Sequence, residues 1–294
     1  MSRKDQAYPF CDLELARRLE RAEAHANARF VEARARVSPH SDACWIEVNG
    51  AAAMFDGVTS PVSQTFGLGL GKEVTSDELE RLERFFQERG ALVSHEVSPL
   101  AGPELAALLA RRGYRPIEFS NVMVRPTRLE GGEPTAGDGI VVRPIRSDEH
   151  ELWAEVSARG WGLGKASGDG WSETPELAEF VRALGPILTR REDSVSFLAL
   201  RHATPVAAGS LCLGGGVALL AGACTVPEAR KLGAQRALLD HRLRHAAELG
   251  CDVASMCVQP GSASQRNAER HGFRIAYTRT KWQLPGRGEP DVHG

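Results

Sequence analysis

The sequence contains no C-x-x-C pair, no block of like charge and no apolar run behind its basic opening. Each absence removes a class of function. The six cysteines, Cys11, Cys44, Cys212, Cys224, Cys251 and Cys257, follow no regular spacing, so they read as reduced thiols and not as a zinc cluster or a disulfide framework. With 36 Lys and Arg against 38 Asp and Glu, scattered instead of striped, the net charge is −2 and nucleic acid is not an expected partner. The opening MSRKDQAYPF leads into no apolar signal region, which makes the cytoplasm the expected compartment. Charge is also missing from Ala203 to Pro227, a stretch long enough on length alone to cross a membrane. There Gly214-Gly215-Gly216 splits the run into PVAAGSLCL and VALLAGACTV, each of strand length. A β-hairpin and no membrane span is the expectation.

What is present is a duplication. The 294 residues, 42% of them hydrophobic, suffice for one large or two modest domains. From Ser76 the first half reads helix DELERLERFFQERG, strand ALVSHEVSP, helix GPELAALLARRGY and strand RPIEFSNVMVRP. The second half repeats the order with QRALLDHRLRHAAELG, CDVASMCVQP, SASQRNAERHGF and RIAYTRTKWQL. Leu79, Leu82, Phe85 and Phe86 share one helical face, as do Leu239, Leu243, Ala246 and Ala247. Glycines at 90 and 250 close the first helix of each copy. Between the halves, LEGGEPTAGDG (129–139) reads as a linker, giving an N-terminal domain over 1–128 and a second domain over 140–294. The second domain opens with strand IVVRPI and a helix capped by Ser147, with Glu149 and His150 in its first turn.

Several tempting groups carry little chemistry. His241 and His245 have the spacing of a metal pair but lack the Glu of H-E-x-x-H and sit among Arg242 and Arg244, so a solvated helix face is expected and no metal. Cys224, in an apolar strand with no basic neighbour, reads as an inert core residue. Gly67-Leu-Gly-Leu-Gly71-Lys72 departs from the P-loop pattern and reads as a Gly-rich strand.

The segment VALLAGACTVPEARKLGAQRALL (217–239) is different. An apolar strand runs through Pro227 into a short loop around Gly233 and then into a helix. Free backbone N–H groups at the positive end of that helix suit a phosphate, with Gly233 allowing close approach and Arg230, Lys231 and Arg236 adding positive potential. The string Arg230-Lys-Leu-Gly-Ala-Gln235 resembles the pyrophosphate loop of the GNAT acetyltransferase superfamily, Arg/Gln-x-x-Gly-x-Gly/Ala, with Gln235 departing from the final small residue. Pro260-Gly-Ser-Ala-Ser264-Gln-Arg-Asn267-Ala-Glu-Arg-His-Gly272-Phe273 is similar to the last helix of that family.

The resemblance implies an α/β (α+β) fold of two tandem GNAT-like domains, each a mixed, mostly antiparallel sheet flanked by helices. It implies acetyl-CoA bound by Thr225, Val226, Arg230, Lys231, Leu232, Gly233, Ala234, Gln235 and Arg236, with Ser264 and Asn267 toward the pantetheine arm. The implied activity is N-acetyl transfer by direct attack of a primary amine, on a small molecule or a protein N-terminus. The alternative is a non-catalytic acyl-CoA-binding regulator. The strand before the loop has no carboxylate, leaving water or Glu228 as base, and the family's tyrosine acid falls on Ala268, leaving Tyr277 or Ser264 as proton donors. The acceptor loop corresponds to 161–173, where Asp169 and Glu173 pair with a cationic amine and Trp161 or Trp171 pack on it. The first half lacks the Arg-x-x-Gly signature, so the cofactor is assigned to the second. Monomer and homodimer are both open.

Overall fold

A computed structural model of the chain describes residues 8–128, 139–162 and 175–286. Its contacts divide the chain into two compact units: an N-terminal unit of Phe10–Met123 together with the chain from Cys257 onward, and a central unit holding Val124–Met256.

In the N-terminal unit, Leu15, Leu19, Ala22, Ala26, Phe30 and Ala33 recur every three or four residues on a segment free of Gly and Pro, and become the buried face of α1 (Leu13–Val37). Asp12 caps it by accepting from the Leu15 N–H at 2.8 Å. The hairpin β1 (Cys44–Val48) and β2 (Ala51–Phe55) turns at Asn49-Gly50, both at positive φ (52° and 79°), the pair a tight hairpin turn demands. There follow β3 (Thr65–Phe66), α2 (Ser76–Gln87), β4 (Val93–Val97), α3 (Pro103–Arg111) and β5 (Arg115–Pro126). From the far end of the chain come α7 (Ala263–Arg270) and β11 (Arg274–Leu284). The strand order is β1-β2-β3-β4-β11-β5. Leu79, Leu82, Phe85 and Phe86 of α2 fill the core beneath it with Val93, Leu105 and Leu109.

The central unit has β6 (Ile140–Pro144), α4 (His150–Gly162), α5 (Pro175–Thr189), β7 (Ser194–Arg201), β8 (Thr204–Gly214), β9 (Val217–Thr225), α6 (Ala234–Glu248) and β10 (Val253–Val258). Strands β6 to β9 are successive antiparallel neighbours, and β10 joins β9 in parallel. The uncharged run is the β8–β9 hairpin, and no helix among the described residues is long and apolar enough to cross a membrane. The repeat is there element for element: α2, β4, α3, β5 in one half and α6, β10, α7, β11 in the other.

Three expectations need correction. Residues 67–71 form a loop, not a strand: Gly67 and Gly69 have φ of 77° and 76°, and a Cβ on Gly69 would lie 2.6 Å from Leu105 Cδ2. Ser147 lies in a turn ahead of α4, where Glu149 instead accepts from the Arg146 N–H and from the Arg143 guanidinium. The sequential division at 129–139 also differs from the compact units, because β11 pairs with β4 of the first half, Thr280↔Val97 through Leu284↔Val93.

Within the N-terminal unit, β4 buries His95 completely. Tyr114 donates its hydroxyl to Glu83, so it accepts the His95 Nε2 proton at 3.0 Å, while Nδ1 has no partner among the described residues. Burial lowers the His95 pKa from 6.5 to about 3. Between those values the unfolded chain binds a proton that the folded chain refuses, so stability falls as pH drops from 6.5 toward 3. Urea titrations across that range should give a slope approaching about 1.4 kcal/mol per pH unit from this group. The slope should flatten in His95→Gln.

Candidate functional site

The site is built where β9 leaves its neighbours. In the β8–β9 ladder, Ala208 faces Cys224 and Ser210 faces Ala221, so Gly209 opposes both Gly222 and Ala223. This is a β-bulge, with Gly222 at φ 59° supplying the left-handed residue. On the other side, the parallel register with β10 runs from Val253↔Val217 to Ser255↔Leu219, while β9 continues to Thr225. The last residues of β9 therefore extend past the registered ladder and present main-chain groups at the strand's end.

Arg242 of α6 holds the bulge from below. Its guanidinium is 2% exposed and donates to the carbonyls of Ser210 (3.0 Å) and Ala221 (3.4 Å). Burial pushes its pKa down to about 10. Sequence reasoning placed this residue on a solvated face. The signal against that was its position three residues after Leu239 and four before Ala246, inside the apolar stripe. On the opposite side α4 comes very close, since a Cβ on Gly160 would lie 2.5 Å from Cys224 Sγ. Cys224 is buried and its thiol is pushed up to about 12 by burial, which agrees with an inert core residue.

Beyond β9, Val226 donates to Val206 O and a short turn leads to Lys231 and Gly233, both left-handed at φ 66° and 86°. Gly233 is the N-cap of α6 and makes no side-chain cap bond, and the first turn holds no acidic residue. The first N–H to find an acceptor within this helix is that of Ala237, on Gly233 O at 3.0 Å. The N–H groups of Gly233, Ala234, Gln235 and Arg236 precede it and form an uncapped positive end. Arg230 spans the entrance by donating to Thr225 O (3.5 Å) and Gly160 O (3.3 Å). The side chain of Gln235 reaches back to the strand end, where its Oε1 accepts from Thr225 Oγ1 at 3.3 Å.

The equivalent helix of the first half is closed. Thr75 and Glu78 form a reciprocal capping box at the start of α2, and Asp77 and Glu78 place negative charge in its first turn. An anion is favoured at one copy and repelled at the other.

A GNAT acetyltransferase domain model matches residues 135–263. Over these residues the chain is similar to a GNAT domain. Solved structures with the same fold include a GCN5-related N-acetyltransferase from Kribbella flavida (TM-score 0.59, 19% identity, covering 88% of this chain and 95% of that one). Another is a GCN5-related N-acetyltransferase from Sphaerobacter thermophilus (0.54, 16%, 90% and 93%). A tandem GNAT protein from the clavulanic acid biosynthesis pathway also matches (0.53, 16%, 82% and 79%). No curated protein matches the sequence.

Within the matched residues the structure brings together Thr225, Val226 and the loop from Arg230 to Arg236 at one strand end. Ser264 and Asn267 lie exposed on α7, in the other compact unit, where Ser262 and not Ser264 is the cap. Trp161 is half-buried in the last turn of α4, whereas Asp169, Trp171 and Glu173 fall outside the described residues.

Two catalytic expectations are corrected. Glu228 is an exposed partner of Arg159 at 3.3 Å, and its own backbone N–H and then Arg159 lower its pKa, which opposes service as a base. Tyr277 is 6% exposed and already donates to Glu20 at 2.8 Å, with burial first and Glu20 second raising its pKa. It braces a buried cluster in which Arg279 meets Glu20, Glu23 and Glu96 at 3.2, 2.8 and 2.9 Å. The histidine pair of α6 packs edge-on against Phe197, and no metal-holding group of side chains occurs among the described residues.

These roles have measurable consequences. Arg242→Met keeps the volume but leaves two carbonyls without a donor, and urea unfolding should show a loss of about 2–5 kcal/mol. Tyr277→Phe should cost about 1–3 kcal/mol because Glu20 loses one of its two donors, Arg279 being the other. Ser264→Ala, at an exposed position, should stay within about 0.5 kcal/mol of the parent.

Proposed function

We propose that the chain is a coenzyme A-dependent N-acetyltransferase that moves an acetyl group from acetyl-CoA to a primary amine, on a small molecule or a protein N-terminus. The observation that carries this is the uncapped start of α6 directly after a bulged β9. The residues fit the group: Gly233 to Arg236 supply main-chain donors for a pyrophosphate, and Lys231 and Arg236 supply charge around them. Bound acetyl-CoA would supply an activated thioester for attack by the neutral amine. Main-chain groups at the end of β9, beyond its register with β10, would polarise the thioester carbonyl, and Arg242 donates to Ala221 O of that strand. With Glu228 weakened as a base by its own backbone N–H and Arg159, and Tyr277 committed to Glu20, the amine proton passes to water.

That shortage of proton-transfer groups, with Ala268 at the family's tyrosine position, favours a second reading, an acyl-CoA-binding regulator. Acetyl-CoA mixed with a panel of amines separates the two. Amine-dependent thiol release supports the enzyme, and tight binding without release supports the regulator.

The binding step has its own test. Gly233→Asp puts a carboxylate where the anion should sit, while an Asp at this position tolerates the left-handed backbone and can cap the helix itself. Calorimetry should find coenzyme A affinity reduced at least about 100-fold with the melting temperature within a few degrees of the parent. Unchanged affinity would remove the loop from the account.

A further inference from the structure

The N-terminal unit contains a cleft of about 570 Å³ between α1 and the β1–β2 hairpin, a size suited to a small ligand. Its floor is made of small residues: Ala24 and Ala28 from α1, with Gly50, Ala52 and Gly67 opposite. Its charged groups fall into two sets. Glu20 is held by Tyr277 and Arg279, Arg17 by the carbonyls of Leu70 and Gly71, and Arg29 and Glu32 by one another. Arg21, His25 and Glu47 line the same cleft, are exposed, and have no hydrogen bond or ion pair among the described residues.

The unpartnered groups of the two walls differ in character: Arg21 and His25 on α1, Glu47 on β1. Arg21 and His25 are four residues apart on α1 and so share one helical face. Across the cleft, Glu47 and Trp45 are two residues apart on β1 and share one strand face. The Trp45 indole is pinned by its N–H bond to Glu32 of α1 at 3.0 Å, and Glu32 is in turn paired with Arg29. One wall therefore suits a carboxylate through Arg21 and the His25 ring N–H. The other suits an ammonium through Glu47 and the aromatic face of Trp45. A polyanion such as a nucleoside diphosphate would meet Glu47 and be repelled there.

We propose that this cleft is a binding site for a zwitterionic small molecule, a free α-amino acid, held with its carboxylate toward α1 and its ammonium toward β1. The site is independent of the acetyltransferase reading, since it uses no residue of the α6 loop.

The test titrates the full chain with each of the twenty L-amino acids and follows Trp45 fluorescence, with Trp45→Phe reporting the contribution of the other tryptophans. At least one amino acid should give a saturable change that disappears in Trp45→Phe. Glu47→Gln and Arg21→Gln, both at exposed positions, should each weaken that binding by about 10-fold or more, the loss expected for one charged hydrogen bond. The N-acetyl derivative, which has no ammonium, and the carboxamide, which has no carboxylate, should bind correspondingly worse. Absence of any Trp45-dependent saturation would overturn the proposal. So would equal binding of the N-acetyl derivative, or affinity unchanged in Glu47→Gln.

Discussion

Every α-helix begins with main-chain N–H groups that have no partner inside the helix, and the two copies of the repeat meet that demand in opposite ways. In α2 the Thr75–Glu78 capping box engages two of the donors, and Asp77 and Glu78 add repulsion toward anions. In α6 the N-cap is Gly233, no side chain reaches the donors and the first turn carries no acid. Loss of a few polar side chains at one helix start converts a structural terminus into an anion site. The remaining features of the central unit serve that end: the bulge at Gly222 redirects β9, Arg242 satisfies the carbonyls the bulge exposes, and Gly160 lets α4 approach Cys224.

The architecture was legible in the sequence wherever a local rule set it. The glycine triplet marked the β8–β9 hairpin, the apolar stripes of α2 and α6 marked buried faces, and the glycines at 90 and 250 closed those helices with φ of 68° and 84°. The loop itself was legible for the same reason, since Arg230 to Gln235 follows a strand and opens a helix. Features that depend on distant partners were not. The pairing of β11 with β4 joins residues some 183 positions apart (280 − 97), and no periodicity within either strand encodes it. The Gly-rich 67–71 segment matched strand length but takes left-handed glycines that a ladder does not use.

Charge was the least legible property. Arg242 and Tyr277 look, as residue types, like a surface cation and a candidate acid, yet both are buried and make structural hydrogen bonds. Their roles follow from burial, because an unpaired guanidinium or carboxylate in the interior costs more than the bond that satisfies it returns. Glu228 is the opposite case: it is exposed, and its own backbone N–H and Arg159 lower its pKa, which weakens it as a base. Gln235 belongs with these cases, since its departure from the small-residue pattern becomes a bond to Thr225 at the loop's entrance.

The central claim is that only one of the two duplicated helix starts is open to a phosphate. The binding stoichiometry of coenzyme A, measured by native mass spectrometry on the intact chain, tests it most directly. The account predicts saturation at one molecule per 31.8 kDa chain. A second equivalent of comparable affinity, or none at all, would contradict it.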